Sequence, residues 1–223
     1  MNSNLYKRIL TSFLLLLILL VGLFISKHLW LMLLLIASII LYNEFTNLVK
    51  KAFTKKLTLI YLFYIIGAVY LMMFIYTSYK LYSYPPLDLI FYISICVFSD
   101  TGGYCIGKLI GGKKLTKISP NKTISGSIGS FVFSLIPLIF LLFIYKDMII
   151  ELASMNKILV SFFLVLFLSL VCQLGDLLIS YLKRRANVKD TGLILPGHGG
   201  LLDRLDGTLF VLPFSYLLGL IFF

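Results

Sequence analysis

The chain has 223 residues, of which 60% are hydrophobic and only 13% are charged, and its mean hydropathy is +1.02. Soluble domains are about 45–50% apolar and about 25% charged, so this composition excludes an ordinary soluble protein and indicates that lipid is its solvent. The net charge of +11 suits anionic lipid or a phosphate-rich substrate. We do not expect nucleic acid as a partner, because the chain has no soluble basic domain.

Seven apolar stretches are each close to the 20 residues that a helix needs to cross a bilayer. They predict an all-α fold, a polytopic membrane helix bundle with about seven transmembrane helices. We expect one integral membrane domain over residues 1–223, with N-terminal helices in 1–85 and catalytic helices and loops in 86–223. Only Lys27 and His28 separate the first two stretches, which predicts a tight hairpin. The stretches are 9–26, 29–49, 57–77, 87–107, 127–145, 157–182 and 205–223.

The basic residues predict the orientation of these spans. With the N-terminus on the cytoplasmic side, 16 Lys and Arg fall on that side and four fall on the other. Cytoplasmic loops of membrane proteins are enriched in Lys and Arg, so we expect the N-terminus inside, the C-terminus outside and a bacterial-type inner or plasma membrane location. Most acidic residues also fall on the inner side, which predicts a cytoplasm-facing polar site built from two loops, 100–126 and 176–207. The four basic residues outside are Lys27, Lys80, Lys146 and Lys157, and the acids outside are Asp88, Asp147 and Glu151.

Asp176 follows a continuous apolar run in the sixth span. A carboxylate at membrane depth is costly and usually faces a polar cavity. Gln173, Asp176, Ser180 and either Lys183 or Arg184 recur at intervals of three and four residues, which places them on one helical face. This polar stripe favours a functional site, with a hydrogen-bonded contact between helices as the alternative.

Two carboxylates, Asp203 and Asp206, lie three residues apart before the last apolar stretch. If this segment is helical they share a face, and with a third carboxylate they would suit Mg²⁺, which takes oxygen ligands and bridges to substrate phosphates. Such pairs at helix starts also occur simply because they complement the helix dipole.

A glycine-rich segment, Pro196-Gly197-His198-Gly199-Gly200, precedes these carboxylates. Glycines permit positive φ and close approach of the backbone. Exposed N–H groups before a helix start can bind an anion, so we expect phosphate binding here, with a flexible turn as the alternative.

The other loop begins at Asp100, which we expect to end or interrupt a helix, and it reaches Lys122 and Thr123. The latter pair suits phosphate binding, and an N-cap is an equal alternative for Thr123. Small residues recur every four positions in two flanking segments, which favours close helix packing over catalysis. They are Ser99, Gly103 and Gly107, and Gly126, Ser130 and Ser134.

The segment 180–206 resembles the signature of phosphatidate cytidylyltransferases (CDP-diacylglycerol synthases). It contains, at matching spacings, Ser180-Tyr181-Leu182-Lys183-Arg184, Lys189-Asp190-Thr191-Gly192, Pro196-Gly197-His198-Gly199-Gly200 and Asp203-Arg204-Leu205-Asp206. Asp100-Thr101-Gly102, Ser119-Pro120-Asn121-Lys122-Thr123 and Gly175-Asp176 are also similar to the family, and Glu44-Phe45 is the one polar match near the N-terminus.

The resemblance implies a nucleotidyltransferase that converts CTP and phosphatidate to CDP-diacylglycerol and pyrophosphate with Mg²⁺, in phospholipid biosynthesis. The expected partners are these two substrates and the lipid bilayer, with a homodimer left open. The residues assigned to catalysis are Asp176, Asp203, Asp206, Lys183, Arg184 and Arg204. Substrate binding falls to Asp100, Lys122, Thr123, Ser180, Lys189, Asp190, Gly197, His198, Gly199 and Gly200, and metal binding to Asp176, Asp203, Asp206 and Asp100.

Two other functions fit parts of the sequence. A CTP-dependent polyprenol or phytol kinase would use the same nucleotide but transfer its γ-phosphoryl group, and the complete 180–206 signature argues against it. An ion-coupled transporter would use Asp100 and Asp176 as its ion site. Transporters often have two related halves with broken helices, whereas this chain has no visible internal repeat.

Overall fold

The computed structural model describes residues 3–54, 56–116, 119–144 and 155–222, and the chain is helical throughout apart from its loops. Eight helices are present in the described part of the chain. They are α1 (Ser3–Ile25), α2 (Lys27–Ala52), α3 (Leu57–Lys80), α4 (Leu87–Ile110), α5 (Ile124–Ser134), α6 (Ile136–Ile144), α7 (Met155–Arg185) and α8 (Leu202–Phe222). The predicted ends of two spans, residues 145 and 223, and the charged residues Lys55, Lys117, Lys146, Asp147 and Glu151 lie outside the described residues.

Seven segments are long and apolar enough to cross a membrane, with α5 and α6 together forming one of them. This confirms the predicted all-α polytopic fold, and the chain is a multi-pass membrane protein. Large apolar side chains along these helices are exposed, as lipid-facing residues are: Leu62, Ile65 and Val69 of α3 are each at least half exposed. The structure divides into two compact units, which are described separately below.

The first unit comprises residues 1–87 and 178–206. The predicted hairpin between α1 and α2 is confirmed, but Ser26 alone joins them, because Lys27 and His28 already belong to α2. Ser26 caps α2 by accepting a hydrogen bond from the Leu29 N–H at 3.1 Å, which satisfies one N–H group at the helix start. Gly22 lets the helices approach, since a Cβ there would lie 2.5 Å from Leu33.

The signature segment, residues 180–206, belongs to the same unit as the N-terminal helices. The end of α7 belongs to this unit, and the guanidinium of Arg185 lies 4.3 Å from the centre of the Phe53 ring. Arg185 also donates to the Ala52 carbonyl at 3.3 Å, and so stabilises the carbonyl end of α2. A glycine-rich loop, residues 186–201, then connects α7 to α8.

The second unit comprises residues 88–177 and 207–223. Its apolar core is formed by eight buried side chains from α4, α6, α7 and α8, namely Ile95, Cys96, Leu138, Val165, Leu168, Val171, Cys172 and Val211. One polar contact crosses this region: the hydroxyls of Ser99 and Ser169 lie 3.0 Å apart. Both serines are fully buried, so the hydrogen bond avoids the cost of an unpaired hydroxyl in an apolar setting.

Close packing of α4 against α5 confirms the interpretation of the small residues. A Cβ on Gly102 would lie 2.5 Å from the Gly129 carbonyl oxygen, and one on Gly126 would lie 2.7 Å from the Gly103 carbonyl oxygen. The two backbones therefore touch directly, as small residues at this spacing allow. No larger residue fits without moving one helix.

Two predicted boundaries are wrong. Asp100 neither ends nor interrupts a helix, because α4 continues for ten residues beyond it to Ile110. The fifth span is not one helix but is broken at Leu135, between α5 and α6. Pro137 explains the break, because proline has no N–H to donate and its ring clashes with the carbonyl four residues earlier. The loops are consequently shorter than predicted, 111–123 and 186–201 instead of 100–126 and 176–207.

We predict that Gly102→Val lowers the thermal stability of the detergent-solubilised protein. Overpacking a close contact costs about 1–3 kcal/mol, and here the obstacle is a backbone carbonyl. The matched control is Gly219→Ala in α8, where a Cβ would meet nothing within 4 Å and stability should hold or rise. Equal melting temperatures for wild type and Gly102→Val would contradict the packing described above.

Candidate functional site

Glu44 is a buried carboxylate, 4% exposed, in the middle of the first unit. Its Oε1 accepts a hydrogen bond from the Leu201 N–H at 2.9 Å, and its Oε2 accepts one from the Leu202 N–H at 2.8 Å. These N–H groups belong to the start of α8, where backbone donors lack helical partners and a negative charge complements the helix dipole. Glu44 therefore attaches the glycine-rich loop and α8 to α2.

Two glycines of the signature segment make room for this carboxylate. A Cβ on Gly192 would lie 2.7 Å from Glu44 Oε1, and one on Gly200 would lie 2.5 Å from Oε2. Any side chain at either position would collide with Glu44. The signature glycines thus serve the contact with α2, which the sequence alone does not reveal.

Asp203 lies in the first turn of α8 and is held by several donors. Its Oδ1 accepts from the Lys183 ammonium at 2.7 Å, and its Oδ2 accepts from the N–H groups of Thr191 at 2.8 Å and Gly200 at 3.0 Å. The Thr191 hydroxyl lies 3.0 Å from both Asp203 Oδ2 and Glu44 Oε2, so its single proton is shared between two carboxylates. Both oxygens of Asp203 therefore accept hydrogen bonds in the structure, and its role as a metal ligand stays a prediction.

The turn at residues 195–199 uses its glycines as predicted, with φ of 79° at Gly197 and 84° at Gly199. The expectation of open backbone donors is not met at three positions. The N–H groups of His198 and Gly199 donate to the Leu195 carbonyl at 2.9 and 3.1 Å, and the Gly200 N–H donates to Asp203. Because these three N–H groups already have acceptors, an anion at this turn would be bound by the charged side chains around it.

His198 is held by α1. Its Nδ1 lies 2.5 Å from the Thr11 hydroxyl, and its Nε2 lies 3.4 Å from the Ser12 hydroxyl. Partial burial lowers the pKa of His198, and the nearby charges of Arg204 and Arg8 lower it further. The imidazole is therefore neutral near pH 7 and is not a source of positive charge.

Two arginines brace the same turn from different helices. Arg8 of α1 donates from Nε to the Gly197 carbonyl at 3.0 Å, and Arg204 of α8 donates to the His198 carbonyl at 3.0 Å. Both side chains are exposed. They line a pocket of about 640 Å³, the first pocket, together with Lys189, Asp190, Leu193, Leu195, Pro196, Gly197, His198 and Gly199.

The second unit contains a different polar pocket. Asp176 of α7 forms an ion pair with Lys122, which ends the loop before α5. Gln173, one turn earlier on α7, accepts a hydrogen bond from the Ser127 hydroxyl at 2.6 Å. The predicted helical stripe is thus real for these residues. The pocket, the second pocket, has a volume of about 330 Å³ and is lined by Asp100, Gly103, Tyr104, Leu115, Ser119, Asn121, Lys122, Thr123, Gly126, Ser127, Ser130, Gln173 and Asp176.

Two further details define the second pocket. The Nε2 group of Gln173 is buried and has no hydrogen-bond partner among the described residues, so a donor is available to a ligand that carries an acceptor oxygen. Thr123 is the N-cap of α5 and accepts from the Gly126 N–H at 3.1 Å, which confirms the capping alternative for this residue.

Metal binding can be weighed against these contacts. No group of three or more His, Cys, Asp or Glu side chains suited to a metal occurs in the part of the chain that the structure describes. Asp100 and Asp176 line the same pocket and supply the carboxylate oxygens that Mg²⁺ prefers, in the number it commonly takes from a protein when substrate phosphates and water complete its shell. These two residues fit the ion, and Asp203 and Asp206 stay predicted ligands.

The structure therefore divides the predicted site residues. The first pocket collects Lys189, Asp190, Gly197, His198, Gly199 and Arg204, and the second collects Asp100, Lys122, Thr123 and Asp176. Six others line neither of these pockets: Ser180, Lys183, Arg184, Gly200, Asp203 and Asp206. Their catalytic and binding roles stay predictions, as do those of the pocket residues.

Sequence reasoning missed Glu44, Thr11 and Arg8 as site residues. Glu44 carried a usable signal, because it is an acid inside an apolar helix, the same argument that singled out Asp176. Thr11 and Arg8 carried none, since each contacts residues more than 180 positions away along the chain.

The fold and these two pockets define a class of protein: a multi-pass membrane protein whose polar pockets combine carboxylates with lysines and arginines. The model of the Cytidylyltransferase family matches residues 58–222, which is most of the chain. The chain therefore belongs to the cytidylyltransferase family, as the signature segment predicts.

Curated relatives carry a more specific name. The chain is 39% identical over 187 residues to the phosphatidate cytidylyltransferase of Bacillus subtilis (strain 168), a match that covers 81% of this chain and 65% of that protein. It is 47% identical over 130 residues to the phosphatidate cytidylyltransferase of Staphylococcus haemolyticus (strain JCSC1435), covering 57% of this chain and 47% of that protein. It is 48% identical over 130 residues to the phosphatidate cytidylyltransferase of Staphylococcus aureus (strain COL), again covering 57% of this chain and 47% of that protein. The chain thus spans about half to two thirds of these relatives.

We predict that Glu44→Gln destabilises the glycine-rich loop. Glutamine has the same shape but replaces one acceptor oxygen with an NH₂ group that faces backbone donors, and an unsatisfied buried group costs about 1–3 kcal/mol. Cleavage within residues 186–201 by a protease should become faster, and the melting temperature should fall. The control is Asp88→Asn, which neutralises an exposed acid in the first turn of α4. Indistinguishable proteolysis in wild type and Glu44→Gln would show that the carboxylate does not hold the loop.

Proposed function

We propose that this chain is a phosphatidate cytidylyltransferase: it transfers the cytidylyl group of CTP to phosphatidate and releases pyrophosphate. The observation that carries the proposal is the match to relatives of that name. The family model, which matches residues 58–222, includes every residue that lines the second pocket and all of the first pocket except Arg8. The anion-binding character of those pockets agrees with a reaction between two polyanions. The homodimer stays a prediction.

The chemistry asks for positioning rather than strong base catalysis. An oxygen of the phosphatidate phosphate attacks the α-phosphorus of CTP, the new P–O bond forms, and the bond to the β-phosphate oxygen breaks as pyrophosphate leaves. A phosphomonoester has a second pKa of about 6, so the nucleophile is already ionised near pH 7. No residue has to remove a proton, which agrees with a His198 that is neutral and held by Thr11.

Cationic side chains then offset the phosphate charge. Lys122 in the second pocket and Arg204 in the first are the residues best placed to contact phosphate oxygens, because each lines its pocket. The unpartnered Nε2 of Gln173 adds a neutral donor to the second pocket. Lys183 acts indirectly: its ammonium donates a hydrogen bond to Asp203 and so helps to fix the start of α8.

Mg²⁺ is the proposed cofactor, with Asp100 and Asp176 as its protein ligands. When bound, it would neutralise charge on the phosphates and help to align them. Asp176 is paired with Lys122 in the structure, so the carboxylate is kept from being an isolated charge in an apolar helix. The lysine in turn stays beside the pocket, where it is available to an incoming anion.

The orientation inferred from basic residues completes the proposal. The N-terminus and both polar loops, 111–123 and 186–201, would face the cytoplasm, where CTP is available. Helices α1 to α8 would lie in the inner or plasma membrane of a bacterial-type cell. The excess of Lys and Arg on this side supports that arrangement.

Purified protein incubated with phosphatidate and Mg²⁺ tests the activity directly. Label from CTP carrying ³²P at the α-phosphate should enter a lipid that migrates as CDP-diacylglycerol, whereas label at the γ-phosphate should be released as pyrophosphate. Transfer of the γ-label to lipid would instead identify a lipid kinase. A protein that moves ions through vesicles without nucleotide, and forms neither product, would be a transporter.

We predict that Asp176→Asn lowers kcat/KM for CTP more than His198→Ala does. One hydrogen bond to a charged group is worth about 1.5–3 kcal/mol, or roughly 10-fold to 150-fold in rate, which bounds the effect of His198. Loss of the Asp176 charge removes a metal ligand and disturbs every phosphate contact in its pocket.

The double variant Asp176→Asn with Lys122→Met controls for the broken ion pair, because it restores neutrality without restoring the carboxylate. Recovery of activity in that variant would mean that Asp176 serves only to balance Lys122. A His198→Ala variant that is more damaging than Asp176→Asn, and that changes the pH profile of kcat/KM, would make His198 a general base.

We predict that cysteines at positions 50 and 80, which lie in the last turns of α2 and α3, are labelled from opposite sides of the membrane. Both native lysines are exposed. The background should be Cys105→Ala, because Cys96 and Cys172 are buried. In right-side-out vesicles an impermeant maleimide should modify position 80 and reach position 50 only after permeabilisation. The reverse pattern would invert the proposed orientation.

A further inference from the structure

The first pocket contains one cation, Arg8, that the signature segment 180–206 does not supply. Arg8 of α1, Lys189 of the glycine-rich loop and Arg204 of α8 converge on it, and Asp190 is the one acid in its lining. With His198 neutral, the lining carries two net positive charges. Arg8 lies outside residues 58–222, the part of the chain that matches the family model.

Among the described residues, neither Arg8 nor Arg204 forms an ion pair with a carboxylate. Arg8 and Arg204 are each anchored through one hydrogen bond to a backbone carbonyl, and a carbonyl leaves the charge of the guanidinium uncompensated. An arginine also retains further N–H donors when one is used. The two guanidinium groups are thus oriented by the turn at residues 197–198 and remain able to bind an anion.

The same loop also presents aliphatic side chains. Leu193 is 91% exposed and Ile194 is 54% exposed, and Leu193, Leu195 and Pro196 line the pocket beside the cations. The loop connects two membrane-crossing helices, so it lies where chains leave the apolar part of the bilayer. An exposed leucine next to cationic groups suits a ligand that is both anionic and apolar.

We propose that the first pocket binds the phosphomonoester headgroup of the lipid substrate, with Arg8 as a specificity residue contributed by α1. A phosphomonoester carries about −1.5 to −2 charges at pH 7, which matches the two net positive charges of the lining. Guanidinium groups bind phosphate through paired N–H donors. The aliphatic side chains of Leu193 and Leu195 contact the glycerol and the first acyl carbons. This assignment rests on the proposed function, which supplies phosphatidate as the lipid.

Affinity measurements on the full chain test the assignment. Dihexanoyl phosphatidate and CTP are titrated separately into detergent-solubilised wild type, Arg8→Ala, Arg8→Lys and Lys7→Ala, and KM is measured for each substrate. Lys7 is the matched control, because it is an exposed cation beside Arg8 that does not line the pocket. We expect Arg8→Ala to weaken phosphatidate binding about tenfold or more, since a hydrogen bond to a charged group is lost, and to leave CTP binding unchanged. Arg8→Lys should recover part of the loss.

The outcomes separate this proposal from the activity. Weakened CTP binding with unchanged phosphatidate binding in Arg8→Ala would assign the pocket to the nucleotide and overturn the inference. Unchanged affinity for both, with normal turnover, would show that the pocket binds neither substrate. Phosphatidate binding that depends on Arg8 in a protein that forms no CDP-diacylglycerol would support the pocket and reject the proposed activity. If Arg8→Ala does not fold, Lys189→Ala is the replacement, because Lys189 is an exposed loop residue and the same reversal of substrate effects would overturn the assignment.

Discussion

Burial of one carboxylate, that of Glu44, governs the arrangement of the first unit. A charged group in an apolar interior is stable only when donors satisfy it, and Glu44 obtains its donors from a segment almost 150 residues away along the chain. The loop must therefore come close enough for backbone N–H groups at the start of α8 to reach it. Once residues 191 and 200–202 are fixed in this way, Asp203 meets Lys183 and the turn that carries His198 is held against α1.

Three carboxylates, those of Glu44, Asp176 and Asp203, are balanced by lysines or by backbone donors. Asp203 is paired with Lys183 and Asp176 with Lys122. Unpaired charges are expensive at membrane depth, and breaking one half of a buried pair leaves the other half uncompensated. Lys122 and Lys183 therefore each have a carboxylate partner, whereas Arg8 and Arg204 at the first pocket are held by backbone carbonyls.

Hydrophobic patterning was sufficient to predict the number and type of spanning segments, because a bilayer imposes length and polarity on every helix that crosses it. The same patterning could not show the break at Leu135, since the residues on both sides of it are equally apolar. It also placed a helix end at Asp100, because a polar residue after an apolar run looks like a boundary. In the structure α4 continues, and its polar side faces the second pocket.

The sequence identified many residues of the candidate site, but it did not predict the contacts that these residues make. The signature segment identified Lys189, His198 and Arg204 as neighbours because they lie close together in sequence. The spacing of Asp203 and Asp206 put them on one face only if the segment is helical, and the structure places Asp203 in the first turn of α8. The spacing could not show that Lys183 and two N–H groups donate to the Asp203 carboxylate. The contacts of Arg8 and Thr11 in α1 had no local signal, since only tertiary packing brings them to the glycine-rich loop.

The direct backbone contact between α4 and α5 restricts how this protein can change. Gly102 faces the Gly129 carbonyl and the Phe133 side chain, while Gly129 in turn faces Ile106. A larger side chain on one helix must be matched by a smaller one on the other, because moving either helix would also move residues that line the second pocket. Substitutions at these positions should therefore occur in compensating pairs. Among natural variants, the residues that change together would be those that face each other across the contact.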